Sequence, residues 1–382
     1  MICMRTQVRN ARRVVVKLGS GLFFHEDGRL ALDRISGLVE ELAAERLAGR
    51  EIIIVSSGAV ALGSNALSMK THGALLVQKQ AFAAVGQSRL MNFYEQALSM
   101  HGLVAAQVLL TEEDFSNRKR YLNLRNALLA LLEMGVVPVI NENDTVSTSE
   151  LEVIDRNASF SDNDKLSALV MSKLEANLLV LLSDVDGLLT DDPHANPAAE
   201  LILEVNDITP EITALAGQKS ARGRGGMATK LQAARIAMNS GGMAVIANGL
   251  KPGVLGRTFA GEVEGTLFVG KSVTLSGKRR WIAFASTVAG RVHVNAGALD
   301  AIRQGNASLL CIGVTQIENH FERGDVVAII GPDGREIARG IVNYSSMDAT
   351  KLMGRHSDDI ARLASTRNYD ALMTRDNIAF LP

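Results

Sequence analysis

Val14-Val15-Val16-Lys17-Leu18-Gly19-Ser20 is the stretch on which the fold turns: a β-branched run suited to a buried strand runs directly into a lysine and a glycine turn. Beyond it, the segment from Asp33 to Arg50 has a helical period, with Ile35, Leu38, Val39 and Leu42 on one face. A second apolar run, Ile52-Ile-Ile-Val55, comes next. The alternation continues through a helical stretch at 74–99, an apolar run at 103–110, a helix near 121–134 and a run at 136–140. A helix near 164–175, the run 178–182, a helix near 229–240 and the run 243–247 complete it. Short buried strands alternating with helices predict an α/β fold with a mainly parallel sheet sandwiched by helices.

The residues just beyond each strand carry the functional signal. Strand one leads into Lys17-Leu-Gly19-Ser20, strand two into Ser56-Ser57-Gly58, the 136–140 run into Asn141-Glu-Asn-Asp144, and the 178–182 run into Ser183-Asp184. Single residues of these types are ordinary turn formers. Four such loops at the carboxyl ends of strands in an open α/β sheet point to a ligand site, because helix N-termini and loop amides converge there.

Composition narrows the chemistry. The 382 residues suit two domains, and 47% hydrophobic with 21% charged residues is the composition of a folded globular chain. Forty Lys and Arg against 41 Asp and Glu leave a net charge of −1, so any anion must be held locally. Cys3 and Cys311 form no metal-ligand spacing, and the seven histidines never fall within one helical turn of each other, so neither a disulfide scaffold nor a histidine metal motif is read. The apolar runs are too short for a membrane span, and the N-terminal arginines precede no signal-like apolar region. A cytoplasmic protein without a membrane partner is expected.

After about residue 260 the texture changes to glycines and short alternating runs, as in 290–299 and 324–344, with a Pro332-Asp-Gly334 turn. The expected organisation is a first domain over 1–260, a linker at 261–277, a small β-rich domain over 278–360 and a short helix and tail over 361–382. Residues 278–356 carry ten Lys and Arg against seven Asp and Glu, too slight a basic lean to predict RNA binding.

Two motifs mislead. Gly265-Thr-Leu-Phe-Val-Gly270-Lys271-Ser272 matches the phosphate-loop pattern, yet no helix is expected at the lysine, since β-prone residues and Gly277 come after it. Gly223-Arg224-Gly225-Gly226-Met227-Ala228 resembles a dinucleotide fingerprint but is preceded by no strand. Glycines opening a helix can still bind phosphate.

Lys17 with Gly19, the clustered carboxylates at 141–146, 161–164 and 183–188, and the run 223–230 with its lysine suit phosphoryl transfer, where positioning and charge neutralisation are nearly the whole task. The Asp residues could hold magnesium, orient the lysines or bind a substrate ammonium. At these residues the chain resembles the amino acid kinase family. VVVKLGS (14–20), VSSGA (55–59), QKQAFAAVGQSRL (78–90), LNLRNAL (122–128), VPVINENDTV (137–146), DNDKLSAL (162–169), LLSDVDGL (181–188) and GGMATKLQAA (225–234) resemble its segments in order. The resemblance is strongest to the branch that phosphorylates free glutamate at the start of proline biosynthesis, and residues from 279 onward resemble a PUA domain.

The resemblance implies that Lys17 and Lys230 bracket the transferring phosphoryl group and that Asp164 aligns them. It implies a glutamate subsite of Ser57, Gly58, Asp144, Asp162 and Asn163. It further implies ATP contacts from Lys17, Gly19, Ser183, Asp184, Arg224, Gly225, Gly226, Met227, Ala228, Thr229 and Lys230. ATP and Mg²⁺ are the implied cofactors, with the magnesium ligands unassigned. L-glutamate is the implied substrate, a glutamyl-phosphate reductase the implied downstream partner, and a homo-oligomer the implied assembly. A glutamate carboxylate, with a pKa near ~4.3, needs no general base at neutral pH. Four departures stand out: a longer run over 150–161, Ser161 in place of glycine, Arg224 where threonine is usual, and Ser183 where threonine is common. A sibling kinase for N-acetylglutamate or aspartate, or an RNA-binding protein with a vestigial kinase fold, remain alternatives at this point.

Overall fold

The computed structural model describes residues 2–25, 27, 29–71, 73–146, 163–191, 196–216, 226–270, 277–304, 307–355 and 371–381. The chain divides into two compact units. The first comprises Met1–Asp114 and Arg118–Thr274, and the second Phe115–Asn117 and Leu275–Pro382.

The first unit is built on an eight-stranded sheet in the order β3-β4-β2-β1-β5-β7-β8-β6. Its strands are β1 (Arg13–Leu18), β2 (Glu51–Ser56), β3 (Ala105–Leu110), β4 (Val137–Glu142), β5 (Leu178–Ser183), β6 (Glu204–Val205), β7 (Met243–Asn248) and β8 (Thr266–Phe268). Strands β1 to β5 and β7 are mutually parallel, and β8 runs antiparallel to β7. Every residue of β4 and β5 is buried, which explains why their sequences are continuous apolar runs rather than alternating ones. The central register sets Lys17 opposite Val55 on one side and Leu181 on the other, so the β1, β2 and β5 loops leave from one edge.

Three segments differ from expectation. Thr266–Phe268, inside the expected linker 261–277, is a wholly buried strand of the large sheet. A strand of three residues shows no period, so the sequence conceals it. It also sets extended sheet structure where the phosphate-loop reading of 265–272 needs a loop. Lys271 and Ser272 lie outside the described residues.

Helices Ala59–Ala66 and Leu76–Ser99 pack at backbone contact. A Cβ on Gly63 would overlap the Phe82 carbonyl oxygen, and one on Gly86 would overlap that of Ala59. Glycine at both positions permits that approach. The sequence does not predict the shorter helix, since Gly58 and Gly63 weaken a helical pattern only eight residues long.

The second unit is a five-stranded sheet in the order β10-β9-β11-β12-β13. Its strands are β9 (Val288–Val294), β10 (Val314–Glu318), β11 (Val326–Ile330), β12 (Glu336–Ile341) and β13 (Ile378–Phe380). It has its own core, with Val292, Phe321, Val327, Ile329 and Leu372 among the buried residues. Of the helix and tail expected over 361–382, residues 361–370 lie outside the described residues, and Ile378–Phe380 is not tail but the edge strand β13, paired with β12. Among the described residues no helix is long and apolar enough to cross a membrane.

Candidate active site

At the carboxyl end of β1, Lys17 is 6% exposed and its Nζ lies 2.6 Å from Oδ1 of Asp164. Asp164 is the second residue of the helix Asn163–Leu174 and is fully buried. Its other oxygen, Oδ2, lies 3.4 Å from Nζ of Lys230 and accepts a 2.9 Å hydrogen bond from Thr229 Oγ1. Lys230, also 6% exposed, belongs to the first turn of the helix Met227–Asn239, which packs on the Asp164 helix. Two lysines distant in sequence thus share one carboxylate.

Burial pushes the Asp164 carboxyl up, but the charges of Lys17 and Lys230, with hydrogen bonds from Lys17 and Thr229, outweigh it and hold the group below the ordinary aspartate value. The positive end of its own helix acts in the same direction. An ionised Asp164 between two ammonium groups leaves the cluster one positive charge in excess, which suits an incoming anion.

Asn163, one residue earlier, faces a different set of partners. Its Nδ2 is 2.8 Å from Ser57 Oγ, 3.0 Å from the Ser56 carbonyl oxygen and 3.2 Å from Asn141 Oδ1. One helix start therefore ties the lysine pair to the loop after β2. That loop turns at Gly58, whose φ is 106°, and the Phe23 ring lies 3.1 Å from where a Cβ would sit. Both the left-handed backbone and the ring require glycine here.

On the other side, Gly19 N donates to the Leu182 carbonyl at 3.0 Å, and a Cβ at Gly19 would stand 3.7 Å from Lys17 Nζ. Ser183, at the end of β5, is buried, and its hydroxyl has no partner among the described residues. A buried hydroxyl left unpaired is costly, so a ligand group that bonds it would be favoured. Gly226, the N-cap of the Lys230 helix, has no side chain to bond the first-turn amides, and a helix start of this kind suits phosphate.

Of the residues expected from the sequence, the structure joins Lys17, Asp164, Thr229 and Lys230 in one cluster and Ser57 with Asn163 in another. Asp144 sits half-buried in the turn after β4, and Asp184 is exposed beside Gly21. Met227 is half-buried and Ala228 exposed. Asp162, Arg224 and Gly225, with the long run 150–161, lie outside the described residues. Sequence reasoning left out Asn141 and Gln87, which the structure links by a 2.9 Å bond from Asn141 Nδ2 to Gln87 Oε1. Asn141 opens the polar run at the carboxyl end of β4, which was a signal. Gln87, on a helix, gave none by spacing.

The amino acid kinase family model matches residues 12–248, and the PUA domain model matches residues 290–364. The glutamate 5-kinase of Chromohalobacter salexigens is 45% identical over 377 residues, 99% of this chain and 98% of that one. The glutamate 5-kinase of Trichlorobacter lovleyi is 46% identical over 378 residues, 99% of each chain. Among solved structures, UMP kinase from Bacillus anthracis is similar with a TM-score of 0.46 and 18% identity, over 69% of this chain and 97% of that one.

Proposed function

The chain belongs to the amino acid kinase family and, within it, to the glutamate 5-kinases, and from that membership we propose that it transfers the γ-phosphoryl group of ATP to the side-chain carboxylate of L-glutamate. The observation that carries the mechanism is the buried Lys17–Asp164–Lys230 cluster. Acceptor and donor are both anions, so the barrier is dominated by their repulsion and by the charge that spreads over the phosphoryl oxygens in the transition state. Asp164 holds the two ammonium groups in place before substrate arrives, so little reorganisation is needed at the moment of transfer. The product is γ-glutamyl phosphate, an acyl phosphate, and the step is the first of proline biosynthesis.

Ser57, Gly58, Asn163 and Asp144 form the acceptor side in this reading, with the Asp144 carboxylate pairing with the substrate ammonium. Gly19, Ser183, Asp184 and the residues 224–230 form the nucleotide side, supported by the unpartnered Ser183 hydroxyl and the uncapped helix at Gly226. Magnesium fits as an ion carried by the ATP phosphates. Asp164 is already engaged by two lysines and Thr229, and among the described residues no three Asp, Glu, His or Cys converge on one point. Its contribution when bound is to neutralise phosphate charge. A cytoplasmic homo-oligomer, with a glutamyl-phosphate reductase consuming the unstable product, completes the proposal.

Hydroxylamine tests it, because an acyl phosphate is trapped as a hydroxamate. The wild-type chain with ATP, Mg²⁺ and L-glutamate should yield γ-glutamyl hydroxamate, and ADP release without any hydroxamate would refute the carboxyl acceptor.

A further inference from the structure

The amide orientations around Asn163 are fixed by two backbone groups. Glu142 N, which can only donate, bonds Asn141 Oδ1 at 2.9 Å. Asn141 must then turn its Nδ2 toward Gln87, whose facing atom is the acceptor Oε1. At the far end the Ser56 carbonyl, which can only accept, faces Asn163 Nδ2. The chain of amides thus has one polarity throughout. Asn163 spends its NH₂ group on Ser56, Ser57 and Asn141, and its Oδ1 has no partner among the described residues. Ser57 Oγ accepts from Asn163 and so retains its own proton.

The helix Leu76–Ser99 supports this loop twice from one face. Gln87 and Tyr94 are two turns apart, with buried Leu90 between them. Tyr94 is fully buried, and its hydroxyl lies 2.8 Å from Ser56 Oγ, which in turn donates to the Ser57 carbonyl. Burial raises the Tyr94 pKa although the Ser56 bond opposes it, so the phenol stays protonated as the donor.

We propose that Gln87 is a positioning residue for the acceptor substrate: through Asn141 it orients Asn163 so that Asn163 Oδ1 is offered to a substrate donor such as the α-ammonium, and the Ser57 proton to a substrate carboxylate. Without the Gln87 acceptor, Asn141 Nδ2 loses its partner, and the Asn141 amide that receives Asn163 is held only through its oxygen by Glu142 N, so it is positioned less firmly. The inference rests on the reading that Asn163 and Ser57 hold glutamate.

The test is Gln87→Leu in the full chain. The expected result is a rise of about threefold to tenfold in the KM for glutamate, the loss of one neutral hydrogen bond, with the KM for ATP unchanged and the melting temperature lowered by only about 2 to 4 °C, because the Asn141 amide left without its acceptor is buried. In an Asn163→Ala background the same substitution should leave kcat/KM for glutamate unaltered, because the two act through one bond path. Gln87→Met, close in length and lacking the acceptor, repeats the measurement should the leucine variant melt early. An unchanged glutamate KM in a folded variant, an equal rise in both KM values, or an additive effect with Asn163→Ala would overturn the proposal. Absence of glutamate-dependent turnover in the wild-type chain would instead overturn the assigned reaction.

Discussion

Removing either ammonium group from Asp164 takes away charge that the transition state needs while leaving the strands and helices that carry it. Lys17→Ala and Lys230→Ala should each lower kcat by about 10² to 10³, corresponding to about 2.7 to 4 kcal/mol for a preorganised electrostatic contact. Steady-state kinetics on folded variants check this, and retention of half the wild-type kcat would remove that lysine from the mechanism. Lys271→Ala, in the phosphate-loop look-alike, should leave kcat within about twofold, since the neighbouring Thr266–Phe268 is a sheet strand. Asp164 gives a second residue-scale expectation. Its folded pKa lies below the ordinary 3.8, so its stabilisation is complete above that value and is lost only as the pH falls through the lower folded pKa. The melting temperature of wild type should therefore exceed that of Asp164→Asn by a steady margin from about pH 5 to 8, shrinking only below about pH 4. A margin that decays between pH 5 and 7 would contradict the buried ion cluster.

At the scale of elements, the crossing of helices Ala59–Ala66 and Leu76–Ser99 sets the acceptor loop, because Gly58 precedes one helix and Gln87 and Tyr94 lie on the other. Gly86→Ala places a methyl group against the Ala59 carbonyl and should cost about 1 to 3 kcal/mol in denaturant unfolding, with a raised glutamate KM. Unfolding at the wild-type midpoint would mean that the two backbones are not in contact. These elements also mark how far the sequence could be read. Strands β1 to β5 and β7 were legible because buried parallel strands are continuous apolar runs, and their loops announced Lys17, Ser57, Asp144 and Ser183, while the roles of Asp164 and Lys230 were implied by the resemblance. The two- and three-residue strands β6, β8 and β13 were not, since so few residues show no period and owe their place to pairing. The meeting of Asn163 with Ser57 was implied by resemblance alone. The amide polarity that reaches Gln87 depends on which atoms face each other, which spacing along a chain does not encode.

At the scale of the molecule, every proposed catalytic residue lies in the unit Met1–Asp114 with Arg118–Thr274, while Leu275–Pro382 carries a separate sheet and core. Chemistry and accessory domain should therefore be separable. Phe115 is fully buried and groups with the second unit, where its carbonyl accepts from the Trp281 indole at 2.8 Å. A chain ending at Thr274 and carrying Phe115→Ser, to avoid a bared aromatic ring, is expected to keep glutamate-dependent ADP release, measured in a coupled assay. A folded but inactive truncation would mean that the second unit contributes to the site.

A lysine pair organised by Asp164 to phosphorylate free glutamate should discriminate among acceptors in competition. ADP release is measured with L-glutamate, L-aspartate and N-acetylglutamate in parallel, at equal ATP and Mg²⁺, for wild type and Lys230→Ala. Turnover with L-glutamate should stand well above the other two and fall by about 10² or more in the variant; equal or faster turnover with N-acetylglutamate, or a variant as active as wild type, would rule out this assignment.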